Sequence, residues 1–262
     1  MTLALAGSGR QWGPLWGSRP YDWASIEDQQ RPTYDAAIAR TGLGAGDRVL
    51  DIGCGTGVFL EAAAAHGAHV AGADASETLL AIARSRLPEA DLRCADMEFL
   101  PFEDDRFDFV TGFNSFFFAA DMVAALREAS RVAKPGGTVL IQVFGDPDKC
   151  ALEAVKLAVT GLLPSEAAEP PPFWRPAVLE GVAREAGLEP QESFTTAWAY
   201  EFADDRALLR GLLSPASAVA AVGVVGHDPV AEAILEAVRP CRREDGSYAL
   251  PNEWHFLRCG TR

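Results

Sequence analysis

The chain has 262 residues, 48% of them hydrophobic, enough for one large domain or two small ones. No segment reaches the roughly 18 apolar residues of a membrane span, and the apolar start "MTLALAGSGRQWG" lacks a basic flank, so no secretory signal is expected. A net charge of −14 argues against a nucleic-acid partner, and five cysteines without a CxxC argue against a disulfide framework or zinc; a cytoplasmic protein with no membrane partner is expected.

In chain order, residues 1–29 show little core periodicity but carry "WGPLWGSRPYDWA", three tryptophans and a tyrosine. From 47 to 145, strand-like and helix-like runs alternate. "DRVLDIG" (47–53) reads as a strand, and "FLEAAAAHG" (59–67) as an Ala-rich helix stopped by Gly67. "AHVAGAD" (68–74) is a second strand, and "SETLLAIARSRLP" (76–88) a helix with Ser76 as its N-cap. "DLRCAD" (91–96), "RFDFVTGFNS" (106–115) and "GTVLIQVFG" (137–145) are further strands. Between the last two, "DMVAALREASRVAKPGG" is a helix ended by Lys134-Pro135-Gly136-Gly137. This alternation predicts a Rossmann-like α/β fold with a doubly wound, mostly parallel sheet.

After 145 the composition shifts to an amphipathic helix (149–164), a loop containing "EPPPF", a helix (176–188) and a strand (189–202). Three short helices follow, around 204–213, 215–222 and 229–239, and a strand over 246–259 closes the chain. The reading is a single domain over 1–262, with a core at about 30–145 and helical lid insertions at about 147–173 and 203–245.

"VLDIGCGTG" ends the first strand with Gly53, Gly55 and Gly57. Glycines there let the backbone turn tightly and approach a ligand where a Cβ would clash. The third glycine of a dinucleotide fingerprint would fall at Val58, and no Lys-Ser/Thr follows for a phosphate loop. Seventeen residues after Gly57, Asp74 ends the second strand, where an acid can accept both hydroxyls of a ribose. The expected ligand therefore carries an adenosine-type ribose without needing a pyrophosphate cradle.

Four motifs in order, "VLDIGCGTG", "GADAS", "CADMEFLPFEDDRFDFV" and "RVAKPGG", resemble the class I S-adenosylmethionine-dependent methyltransferases. The likeness leans to the small-molecule branch that includes the ubiquinone/menaquinone-biosynthesis methyltransferases, and spans about residues 30–145. It implies seven strands with the last antiparallel, and S-adenosyl-L-methionine as cofactor. By position, it implies a loop of Asp51, Gly53, Cys54, Gly55 and Gly57 against the methionyl part, with Asp74 and Ala75 at the ribose. Asp96 would accept the adenine amino group, and Met97 would lie beside the ring. Related enzymes often close an N-terminal helix over the sulfonium, which gives residues 1–29 a flap role and makes Trp23 and Tyr21 candidate substrate contacts; packing on the sheet edge is the alternative. Asn114 and Ser115 are placed at the methionyl group and sulfonium, and Phe116–Phe118 of "FVTGFNSFFFAAD" either face the substrate side or cap the sheet, with Phe116 the first candidate for substrate contact.

Methyl transfer needs alignment and water exclusion more than a base, so the catalytic group stays open. Candidates are His227, His255 and Tyr21, with a core role the commoner fate of a strand histidine such as His255. No metal site is expected. The Pro-Pro-Tyr/Phe sequence of amino-methylating nucleic-acid enzymes is absent, Asn114-Ser115-Phe116-Phe117 standing there instead. The expected function is methyl transfer to an O, N or C atom of a small apolar or aromatic metabolite, by a monomer or homodimer. A cyclase-type protein that binds the cofactor without transfer, or a protein/RNA methyltransferase, are the rivals.

Overall fold

The computed structural model describes residues 7–164 and 171–262. The apolar start at 1–6, and most of the stretch leading into "EPPPF", lie outside the described residues. The core is a seven-stranded sheet with strands β1 (Arg48–Ile52), β2 (His69–Asp74), β3 (Asp91–Cys94), β4 (Phe107–Phe113), β5 (Ala133–Phe144), β6 (Glu189–Phe202) and β7 (Tyr248–Gly260). Their order across the sheet is β3-β2-β1-β4-β5-β7-β6. All neighbours run parallel except β7, which is antiparallel to both β5 and β6. The connection from β1 turns outward to β2, while β4 lies on its other side. The sheet thus has a switch point between β1 and β4, where open α/β folds leave a crevice at the strands' carboxyl ends.

Burial on both faces explains the near-continuous apolar strands. Val49, Leu140 and Phe256 face one cluster with α3 (Arg31–Thr41), α4 (Val58–Ala65) and α7 (Ala151–Thr160); Leu50, Ile141 and Leu257 face another with α6 (Met122–Val132) and α8 (Pro176–Glu185). Helix α5 (Glu77–Arg86) starts at Ser76, whose hydroxyl accepts the Leu79 N–H at 3.3 Å, as its N-cap position predicts. Lys134-Pro135-Gly136-Gly137 follow the end of α6 but belong to β5, which begins at Ala133 rather than near 137. Phe107 pairs with Ala133, the register then shifts, and Gly136 takes the left-handed conformation that absorbs the irregularity.

Two helices that sequence periodicity does not announce cover the carboxyl edge: α1 (Gly7–Trp16) and α2 (Pro20–Glu27). Three more, α9 (Asp205–Leu212), α10 (Ala216–Val225) and α11 (His227–Val238), fill the insertion before β7. Helix α10 packs on both α1 and α7, and α9 on α2, so the N-terminal helices and the insertions form one helical layer. No helix among the described residues is long and apolar enough to cross a membrane alone.

Candidate functional site

The loop after β1 lies at the switch point, with Gly53, Gly55 and Gly57 all in the left-handed region at φ +76°, +53° and +82°. That backbone turns its N–H groups toward carboxylates. Asp74 Oδ2 accepts the Gly55 N–H at 2.9 Å and its Oδ1 accepts the Ser76 N–H at 2.7 Å, which holds the end of β2 to the loop. Asp51, 3% exposed, accepts the Thr111 hydroxyl at 2.7 Å. A third acid, Glu27 at the end of α2, accepts the Thr56 N–H at 3.1 Å. Burial raises the pKa of all three, Glu27 from 4.5 to about 7. Cys54 is buried, and desolvation pushes its thiol well above the ordinary range.

At the end of β3, Asp96 is 4% exposed. Its Oδ1 accepts the Glu98 N–H at 2.9 Å, and its Oδ2 accepts the Gly9 N–H of α1 at 2.7 Å. Met97 packs beside it against the α6-side cluster. Helix α1 approaches this edge through glycines four residues apart. A Cβ on Gly13 would come within 2.4 Å of the Ala75 carbonyl oxygen, so no larger residue fits there without displacing the helix. The Thr78 hydroxyl donates to the Gly17 carbonyl at 2.8 Å and fixes the far end. Helix α1 thus lies directly over Ala75 and Asp96.

The loop after β4 forms the other wall. Asn114 holds a left-handed φ of +51°, a conformation asparagine tolerates better than most residues. Its N–H donates to the Gln142 carbonyl at 3.0 Å, while its Oδ1 is buried without a partner among the described residues. The Ser115 hydroxyl donates to the Ile52 carbonyl at 2.6 Å, tying this loop to the glycine loop. Beyond them stands an aromatic wall: Trp12 and Trp16 of α1 meet the Phe118 ring edge-on at 5.1 and 5.5 Å, and Trp16 meets Trp23 at 4.7 Å. Phe117 lies 4.8 Å from Phe118 and 5.9 Å from Phe144.

Phe116 requires a correction. It is fully buried in the α6-side cluster with Leu50, Ile52 and Met122, its ring against Gly112. A one-turn 3-10 helix (Phe116–Phe118) follows the strand, and its roughly three-residue turn sends Phe116 inward and leaves Phe117 and Phe118 half-buried at the edge. The proposed catalytic groups are not gathered. Tyr21 is 75% exposed on α2. His227 begins α11, exposed and beside Asp228 at 3.0 Å. His255 is buried on the same face of β7 as Leu257, where desolvation lowers its pKa. Trp23 does join the aromatic wall. Sequence reasoning did not single out Glu27, Trp12 or Trp16; the Trp-rich run was the signal for the two tryptophans, as the Phe-rich run was for Phe118. No cluster of metal-ligating side chains exists among the described residues.

A doubly wound sheet with a reversed last strand, a three-glycine loop, and acids at the ends of β2 and β3 define the class I methyltransferase architecture. Residues 50–141 match the Methyltransferase domain family. A ubiquinone biosynthesis O-methyltransferase of Pseudomonas aeruginosa (strain UCBPP-PA14) is 35% identical over 181 residues, 66% of this chain and 78% of that protein. One from Thiobacillus denitrificans is 38% identical over 156 residues, 56% of this chain and 67% of the relative. Among solved structures, the 4+2 cyclase SpnF superposes over 100% of this chain and 99% of its own at TM-score 0.62 and 20% identity. YcgJ of Bacillus subtilis covers 88% and 99% at TM-score 0.59 and 20% identity. At that identity the structures speak to the fold alone. The chain belongs to the S-adenosylmethionine-dependent methyltransferases of the ubiquinone biosynthesis O-methyltransferase type.

Proposed function

We propose that the crevice between β1 and β4 holds S-adenosylmethionine and that the enzyme methylates a hydroxyl oxygen of a small aromatic metabolite. The residues present fit the cofactor. Asn114 Oδ1 is buried without a partner among the described residues and the Thr56 hydroxyl has none beyond Glu27, and both stand on the loops that wall the crevice. The glycine loop would lie along the methionyl part, Asp74 and Ala75 at the ribose, and Asp96 with Met97 at the adenine. Asn114 and Ser115 would border the sulfonium. When bound, the cofactor supplies a methyl group already activated for displacement; the protein's part is to align the acceptor and exclude water.

The observation that carries the substrate class is the aromatic wall of Trp12, Trp16, Trp23, Phe117, Phe118 and Phe144, which joins α1 and α2 to the segment after β4. Such rings stack on a flat apolar acceptor, and their electron-rich faces also suit a neighbouring cation. The relatives' names point to oxygen as the receiving atom. None of the four histidines lies in α1, α2, the glycine loop or the loop after β4. An acidic hydroxyl such as a phenol, which needs least help to lose its proton, suits such a site. Helices α1 and α2 act as a flap: α1 covers Ala75 and takes Asp96 Oδ2, the acceptor assigned to adenine, so it opens to admit the cofactor.

Incubation with S-adenosylmethionine and a panel of phenols and catechols, read by mass spectrometry, tests the reading. A product heavier by one CH2 supports it. Binding of S-adenosylhomocysteine with no methylated product from any aromatic hydroxyl would overturn the substrate class.

A further inference from the structure

We infer that Glu27 is a cofactor-binding residue whose carboxylate, held on the glycine loop by the Thr56 N–H, takes the α-ammonium of the cofactor's methionyl group. The inference rests on the cofactor assignment above. Glu27 ends α2 and is 4% exposed, and it is pressed onto the loop so closely that a Cβ on Gly55 would lie 2.8 Å from its Oε1. It therefore touches the loop assigned to the methionyl part at Gly55 and Thr56.

Its electrostatic surroundings ask for a cation. The charged and titratable groups facing it are Asp51 and Asp74 from the sheet, Cys54 from the glycine loop, Arg86 from α5, Tyr34 from α3 and Tyr200 from β6. The single cation, Arg86, is already engaged by Asp28 at 3.0 Å and Glu61 at 3.5 Å. Three acids around one loop thus have no cation of their own. Burying a carboxylate costs several times what burying an amide costs, and glutamine could accept the same Thr56 N–H. An acid kept here serves more than the tie between α2 and the loop. The Thr56 hydroxyl, wholly buried, also lies beside the Glu27 carboxylate and favours its charged form, and no other protein group among the described residues partners it.

The test is calorimetry of wild type and Glu27→Gln with two probes: S-adenosylhomocysteine, and methylthioadenosine, which keeps the nucleoside and sulfur but lacks the ammonium. The expected result is a loss of about tenfold or more for S-adenosylhomocysteine, the scale of a charge-assisted bond, and unchanged binding of methylthioadenosine. Equal weakening of both probes, or no weakening of either, overturns the inference while leaving the cofactor assignment intact. Failure of wild type to bind S-adenosylhomocysteine overturns both. A pH series on wild type needs no variant. S-adenosylhomocysteine should gain affinity relative to methylthioadenosine as pH rises through about 7, since groups at the nucleoside act on both probes alike; parallel curves would overturn the inference.

Discussion

Glu27→Gln also makes a sharp prediction about stability. Burial raises the folded-state pKa of Glu27 from 4.5 to about 7. Between those values the folded chain holds a proton that the unfolded chain has released. The contribution of Glu27 to stability is therefore fully present below about pH 4.5, falls as pH rises, and levels off above about 7. At about 1.36 kcal/mol per pKa unit, the total loss is at most about 3 kcal/mol. Glutamine does not titrate, so the stability of the variant relative to wild type should rise by up to that amount across the window. Asp51 and Asp74, whose pKa values burial also raises, are present in both proteins and cancel except for their coupling to Glu27. Urea denaturation at a series of pH values reads the difference, roughly 1 M in midpoint at the slopes expected for a chain of this size. A difference that is constant with pH, or that favours the variant more in acid, would refute the reasoning.

Four other outcomes follow from the geometry. Asp74→Ala should weaken S-adenosylhomocysteine binding by about 1.5–3 kcal/mol in calorimetry, through loss of the ribose acceptor and of the Gly55 and Ser76 ties. Phe116→Ala should cost about 3–5 kcal/mol in denaturant unfolding and leave cofactor affinity unchanged where the protein stays folded, because the ring lies in the core. Gly13→Val should displace α1 from Ala75 and expose Trp12 and Trp16, read as a red shift in tryptophan emission; an unshifted spectrum would show that α1 does not dock as described. Asn114→Ala should lower stability by about 1 kcal/mol for its left-handed backbone and reduce turnover, whereas Asn114→Gly should recover the stability but not the turnover.

The parallel core was legible because β1, β2, β4 and β5 are short, mostly apolar runs and helix-like stretches alternate with them. The glycine loop and Asp74 were legible because their chemistry is local: a turn, a close approach and an acid at a strand end. What escaped depends on tertiary contacts. Helix α1 contains Gly7, Gly9, Gly13 and Pro14, poor helix formers, and it is held by bonds from Gly9 to Asp96 and from Thr78 to Gly17, far apart in sequence. Glu27 sits among Asp28, Gln29, Gln30 and Arg31 and reads as part of a solvated face, until the fold presses it onto Thr56. The fate of Phe116 turned on a single 3-10 turn after β4, which no periodicity records.

The central claim is that the crevice between β1 and β4 is an S-adenosylmethionine site in which Asp74 holds the ribose. Calorimetric titration of wild type and Asp74→Ala with S-adenosylhomocysteine tests it most directly. The account predicts saturable binding at one molecule per chain for wild type, weakened by more than about tenfold in the variant. Equal affinity in the two proteins, or no binding to wild type, would contradict it.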